Sequence, residues 1–385
     1  MLNAKLKRAC EKYKEQAKWP ADNDKFHFRV AKRSDYENIY KLFEASFGES
    51  RSKEHIEWKY WDHPTATPFA VIALDESEKV IAACTGMKKK AWVNNKVSYG
   101  VMLWDICVHP EVRGGGKLFR DITYGMQIAI NEEESVNWGF GGQSKPNIIK
   151  MGKRWFGYHM ILSLKTWELR LNTYPALEKK IGKAAKVLAP LFNIFLKLPA
   201  PNNSWNMKHI KRCGEEFNQL WEKERSLYST VIWRDAQTLN WRYVDNPLFK
   251  HSIVGAYNAQ EELKGYVIWR TYIEDGKKVS TILDLWHGED EKLAKDLIAT
   301  AANSAKKQGS NYIRMALEKN STTQIAFSNI NKSRISPFIE DDNIITSMML
   351  GRDPFQHSQE AYEEMDTVTE GENWFYCQGD VDFRD

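Results

Sequence analysis

The sequence predicts a tandem α/β (α+β) protein in which one folding unit is used twice. Three observations predict it. The stretch Trp104-Asp105-Ile106-Cys107-Val108-His109-Pro110-Glu111-Val112-Arg113-Gly114-Gly115-Gly116-Lys117-Leu118 reads as a strand, a glycine loop and the start of a helix. The elements around it return in the same order in the second half of the chain. The returning copy carries acids where the first carries glycines. A glycine loop feeding a helix presents free N–H groups and a positive dipole end, an arrangement suited to a phosphate.

Residues 1–25 read as a charged N-terminal helix and a turn at Trp19-Pro20-Ala21-Asp22-Asn23, not as a signal peptide. A strand at 26–31 precedes Ser34-Asp35-Tyr36-Glu37, whose capping-box spacing opens a helix carried by Ile39, Leu42, Phe43 and Phe47. A second helix at 54–61 stops at Asp62-His63-Pro64. Strands at 68–74, 79–85 and 89–93 follow, with Lys88-Lys89-Lys90 read as a solvated hairpin turn. A long strand at 97–108 delivers the glycine loop, a helix runs over 117–130, and a short strand covers 135–140.

Then the order repeats. Trp58-Lys59-Tyr60-Trp61-Asp62-His63-Pro64 returns as Trp241-Arg242-Tyr243-Val244-Asp245-Asn246-Pro247, and Lys96-Val97-Ser98 as Lys278-Val279-Ser280. Asp105 has Asp284 in the corresponding place, and the helix at 37–43 corresponds to Glu216-Phe217-Asn218-Gln219-Leu220-Trp221. After Leu285-Trp286-His287-Gly288 come Glu289, Asp290 and Glu291, which exclude a second anion site. The expected organisation is an extension over 1–25, a first domain over 26–172, a linker over 173–204 and a loop-less second domain over 205–385.

In the linker, Leu177, Ile181, Ala184, Leu188 and Phe195 share a helical face, with Lys179, Lys180, Lys183 and Lys186 opposite. Pro190 is expected to kink the helix. The reading adopted is a helix packed across both domains with a solvated lysine face. The other is a basic amphipathic helix on an acidic membrane surface.

Composition sets the outer limits. The chain has 385 residues, 42% hydrophobic and 12% aromatic, enough for two cores. Its net charge of +4, from 55 basic and 51 acidic residues, makes no demand for nucleic acid. The five cysteines are scattered, without metal-ligand spacing, and read as reduced thiols of a cytoplasmic protein. No apolar run reaches the ~18 residues of a membrane span.

At Val108-His109-Pro110-Glu111-Val112-Arg113-Gly114-Gly115-Gly116 the sequence resembles the GNAT acetyltransferase superfamily, whose pyrophosphate loop reads Arg/Gln-x-x-Gly-x-Gly/Ala. Arg113 and Gly116 fit; Leu118 stands where a small residue is usual, so its side chain must point away from the cofactor. A double-domain subset, associated with bacterial surface-polysaccharide pathways, looks closer still. The resemblance implies tandem GNAT-like acyl-CoA acyltransferase folds, the second copy lacking the pyrophosphate loop. It also implies acetyl-CoA as co-substrate, no metal, and a small-molecule amine acceptor such as an amino sugar; an O-acetyltransferase, a peptide or aminoglycoside acetyltransferase, and a non-catalytic coenzyme A-binding scaffold are the alternatives. Backbone groups of Arg113, Gly114, Gly115, Gly116, Lys117 and Leu118 would hold the pyrophosphate. Those of Ile106, Cys107 and Val108 would bond the pantetheine arm and the acetyl carbonyl, and Ser144 and Asn147 would line the cofactor or acceptor cleft.

Proton transfer leaves several candidates. Asp105 is either the acceptor of the ammonium proton or a structural acid, and Asp284 in the loop-less copy favours the latter. His109 is a second base or a loop histidine. The resemblance implies a tyrosine after the fifth strand that protonates the leaving thiolate; 143–152 holds none, and Tyr158, nearby in sequence, is the reserve candidate. Cys107 reads as a buried hydrophobe. Trp58, Tyr60, Trp61, Trp241 and Tyr243 are either core or stacking surfaces. Asp380, Asp382 and Asp385 either face the acceptor cleft or form an acidic tail.

Overall fold

In the computed structural model of the chain, described over 18–64, 68–134, 136, 138–141, 146–156, 159–194, 198–201, 204–330, 335–337, 343–349 and 359–380, the two copies share one continuous sheet. The first copy contributes β1 (His27–Val30), β2 (Pro68–Leu74), β3 (Val80–Val93), β4 (Lys96–Val108) and β5 (Trp138–Gly141). The second contributes, in the same order of neighbours, β7 (Asn206–His209), β9 (His251–Tyr257), β10 (Leu263–Glu274), β11 (Lys277–Trp286) and β12 (Tyr312–Glu318), while the short β8 (Thr230–Ile232) and β13 (Ile335–Pro337) lie off this path. The helices correspond too. In the first copy α1 is Tyr36–Phe47, α2 Lys53–Ile56, α3 Lys117–Glu134 and α4 Pro146–Trp155. After the linker helices α5 (Tyr174–Ile181) and α6 (Ala185–Asn193) come α7 (Glu215–Glu224), α8 (Ala236–Leu239), α9 (Glu291–Lys307) and α10 (Thr322–Ser328).

The join between copies is made by exchange. β6 (His159–Arg170) pairs antiparallel along one half with β14 (Asn343–Met349) and along the other with β12. β14, from the C-terminal part of the chain, sits between β5 and β6. Each copy is thus completed by a strand that the other half of the chain supplies, which a linear boundary at 172 or 205 does not express.

The best marker of the repeat is the aromatic segment. α2 and α8 each run directly into a π-helical turn, Glu57–Trp61 and Asn240–Val244. Ser52 caps the first by accepting from the His55 N–H, and Asp235 caps the second by accepting from Thr238. Trp58 and Trp241, 183 residues apart in sequence, stack at 5.1 Å and 17°. Each indole N–H donates to the other residue's carbonyl, at 2.7 and 2.9 Å. This reciprocal contact relates the copies by a local twofold. Trp58, Tyr60, Trp241 and Tyr243 are buried and therefore core; Trp61 is half-buried, with Arg33 over its ring at 4.4 Å.

Three expectations are corrected. The strands predicted at 79–85 and 89–93 are one strand, β3, because both its edges are paired, to β2 and to β4. Gly86 inside it marks close approach rather than a turn, since a Cβ there would lie 2.4 Å from the Met126 side chain. Lys89 accordingly is not in a solvated turn but buried, over the rings of Trp104 and Trp241 at 5.4 and 5.6 Å. Third, the linker leaves most of its large apolar residues exposed, among them Ile181, Val187, Leu188, Leu191 and Phe192. It breaks at Gly182, whose φ is +57°, rather than at Pro190, which lies within α6. Only the small Ala185 and Ala189 of α6 are buried. Asp380 is buried too, in an ion pair with Arg234, and is no frayed acid, whereas Asp382, Asp385 and the helix expected before residue 18 lie outside the described residues.

Candidate active site: the glycine loop and the open edge of β4

β4 and β5 run parallel but pair only from Gly100 to Met102. Close approach there is possible because Gly100 lacks a Cβ, which would stand 2.5 Å from the Trp138 ring. Beyond Met102, β4 continues to Val108 with no partner on the β5 side among the described residues. This edge of β4 from Leu103 to Val108 therefore has unpaired backbone among the described residues. Opposite β3 the ladder carries a bulge: Asp105 and Ile106 face Cys84 alone, between the pairs Thr85–Trp104 and Ala83–Cys107. Asp105 takes φ +42° to make it.

This edge leads into the loop. Gly115 and Gly116 have φ of +61° and +71°, a conformation that turns successive N–H groups to one side. Among the described residues, the N–H groups of Gly114, Gly115, Gly116, Lys117 and Leu118 find no acceptor. They cluster at the N-terminus of the 18-residue α3, where the helix dipole adds positive potential. Leu118 is buried in the core cluster with Val71, Val108 and Ile122, so the unusual large residue points away from the loop. Lys117 is held by Asp121 at 2.6 Å.

Arg113 has a role that its motif position does not reveal. Its Nε donates to the Val108 carbonyl at 2.8 Å and its Nη2 to the Ser46 carbonyl at 2.8 Å. The Ser46 hydroxyl donates to the same Val108 oxygen at 3.2 Å. The side chain thus staples the loop to the end of α1. The Val108 carbonyl, taken up by two donors, is not available to a ligand, which corrects the expectation for that group. Removing this staple should loosen the loop without removing any of its N–H groups. Arg113→Ala is expected to weaken coenzyme A binding about tenfold, ~1.4 kcal/mol, in calorimetry, with Arg113→Lys no better because a single ammonium lacks the fork.

Asp105 is enclosed by cations. Arg51 grips it with both terminal nitrogens, at 2.5 and 2.8 Å, Lys59 approaches to 3.2 Å and the Tyr60 hydroxyl donates to it. Burial opposes the charge, but the Lys59 ammonium and Arg51 guanidinium outweigh it and hold the carboxyl well below the usual range. A carboxylate so held accepts a proton poorly. The geometry therefore makes Asp105 the counter-charge of a buried cluster, not the general base. The second copy repeats the design: Asp284 accepts from Arg234 at 3.4 Å and from the Tyr243 hydroxyl at 3.3 Å, and Arg234 also pairs with Asp380 at 2.6 Å. Sequence reasoning missed Arg51, Lys59 and Arg234 as partners of these acids; the recurrence of a basic residue and a tyrosine at 59–60 and 242–243 was the available signal.

Other candidates divide. Burial pushes the Cys107 thiol up, which keeps it protonated. His109 caps the turn at Pro110–Val112, its Nδ1 accepting from the Glu111 N–H at 3.4 Å. Ser144 and Tyr158 lie outside the described residues; Asn147 lies in α4, with its side chain outside them. In the second copy the matching helix is closed to anions, because the Asp290 carboxylate accepts from the Lys292 and Leu293 N–H groups at 2.8 and 3.0 Å. The chain supplies there the negative charge that the first copy leaves open.

No family model matches the chain, and no curated protein matches it in sequence. Solved structures do match it in fold. A GCN5-related N-acetyltransferase from Anabaena variabilis superposes with a TM-score of 0.59 at 10% identity, over 84% of this chain and 72% of that one. A probable N-acyltransferase from Enterococcus faecalis gives 0.59 at 11%, over 86% and 74%. The Saccharomyces cerevisiae N-myristoyltransferase, solved with myristoyl-CoA, gives 0.56 at 11%, over 87% and 85%. At these identities the likeness is one of fold, and it spans most of the chain.

Proposed function

We propose that the chain is an acyl-CoA-dependent N-acyltransferase that moves an acetyl group to a small amine, most specifically an amino sugar or its nucleotide-linked form. The observation that carries the reading is the run of N–H groups from Gly114 to Leu118, which find no acceptor among the described residues, beside a β4 edge that has no partner among them. The loop would hold the pyrophosphate, the Ile106 and Cys107 backbone the pantetheine arm and acyl carbonyl, and Ser144 and Asn147 the cleft wall. The fold neighbours support the acyltransferase class; the amino sugar rests on the sequence resemblance.

Transfer is direct: the neutral amine attacks the thioester carbonyl, the C–N bond forms, the C–S bond breaks, the nitrogen gives up one proton to solvent and the thiolate takes one up, with Tyr158 as the candidate donor that solvent then reprotonates. Asp105 does not take the ammonium proton in this scheme. The limb of the pH–rate profile should then follow the acceptor's own amine pKa. Thiol release from acetyl-CoA, with myristoyl-CoA as comparison, measured against amino sugars, peptides and aminoglycosides, tests this. Turnover with amino sugars is the expected result. Binding of acetyl-CoA without thiol release on any acceptor would leave a coenzyme A-binding scaffold, and no binding at all would end the proposal.

A further inference from the structure

The linker helices are built inside out for a packed connector. α6 turns Ala185 and Ala189 inward, while Val187, Leu191, Phe192 and Ile194 are 74, 58, 48 and 65% exposed, and Ile181 and Leu188 join them on the outside. These large side chains form an apolar surface on an exposed helical hairpin. Lys179, Lys180, Lys183 and Lys186 are exposed beside it, with Glu178 as the one acid of α5 and α6.

The hairpin is nevertheless fixed in place. The Asn193 side chain accepts from the Thr173 N–H at 2.8 Å and hydroxyl at 2.9 Å and donates to the Asn172 side chain at 2.9 Å. The Thr173 hydroxyl also lies 3.2 Å from the Ala189 carbonyl. These bonds tie the end of α6 to the residues before α5, so the apolar side is presented outward by a defined structure. Among the described residues no helix is long and apolar enough to cross a membrane.

We propose that α5 and α6 dock the protein on an anionic phospholipid surface, with Val187, Leu191, Phe192 and Ile194 entering the interface and the lysines meeting the headgroups. Charge decides the occupant. An apolar patch suits a second copy or a bilayer, but a lysine cluster facing its own copy would repel it, whereas phosphatidylglycerol complements it. The proposal is independent of the acyltransferase reading.

Flotation of the full chain with phosphatidylcholine vesicles, with and without phosphatidylglycerol, tests it. Binding is expected to rise at least about tenfold with phosphatidylglycerol and to fall with added salt. Leu191→Gln with Phe192→Gln changes only exposed side chains, so it should abolish binding while leaving the thermal midpoint and coenzyme A affinity unchanged. Lys179→Glu with Lys183→Glu should remove the preference for anionic lipid. Unchanged flotation of the Gln variant, no binding to phosphatidylglycerol, or a wild-type dimer in sedimentation that the Gln variant dissociates would each overturn the proposal.

Discussion

Gly116→Glu should raise the dissociation constant for coenzyme A at least about 100-fold, ~2.7 kcal/mol, while the protein still folds. Two effects add. Gly116 has φ +71°, and a side chain at such an angle costs about 1–2 kcal/mol, with a Cβ only 3.0 Å from the Trp155 ring. The larger effect is charge: a carboxylate ~5 Å from a pyrophosphate charge opposes it by about 3 kcal/mol at an effective dielectric near 20. Gly114→Ala is the internal control. Nothing lies within 4 Å of a Cβ there, and its φ is not positive, so binding should change less than roughly threefold, well under 1 kcal/mol. Calorimetry with coenzyme A and with its dephosphorylated pantetheine arm separates the loop from the strand edge. Retained affinity in Gly116→Glu would place the phosphate site elsewhere.

The second large effect concerns stability. Asp105→Ala is expected to cost about 3–5 kcal/mol, the range for removing one partner of a buried ion pair, because Arg51 and Lys59 lose their buried counter-charge. Urea unfolding measures it. Lys59→Met in the Asp105→Ala background should recover part of the loss, since it removes one of the buried cations. The pH dependence has a definite sign. The folded-state carboxyl is held below its unfolded value of 3.8, so the unfolded chain binds the proton more readily. The cluster's stabilisation is therefore complete above that value and is lost as the pH falls below it. Were Asp105 instead the general base, Asp105→Asn would flatten the pH–rate profile between about pH 5 and 9 with little loss of stability. The expected profile keeps its shape.

Much of this architecture is legible in the residues. The order of elements, the twofold repeat and the glycine loop are local patterns, carried by apolar periodicity, by Trp58-Lys59-Tyr60 returning as Trp241-Arg242-Tyr243, and by Gly114 to Gly116. The inward direction of Leu118 was also accessible, because a large side chain has no room beside a bound phosphate. The misreadings share one cause. Lys88-Lys89-Lys90 looks solvated by composition, yet Lys89 is buried over two tryptophan rings, one from the other copy. The linker looks like a helix that hides its apolar stripe, yet along α6 only Ala185 and Ala189 are buried.

Local patterns specify the unit, its duplication and the loop proposed to hold an anion, because spacing and glycine conformation act within a few residues. Tertiary structure alone decided the charge state of Asp105, since Arg51 and Lys59 reach it from segments 54 and 46 residues away. It also decided how the copies complete one another through β6 and β14. Strand pairing and buried electrostatics depend on which distant groups share a low-dielectric interior, and no local pattern specifies that.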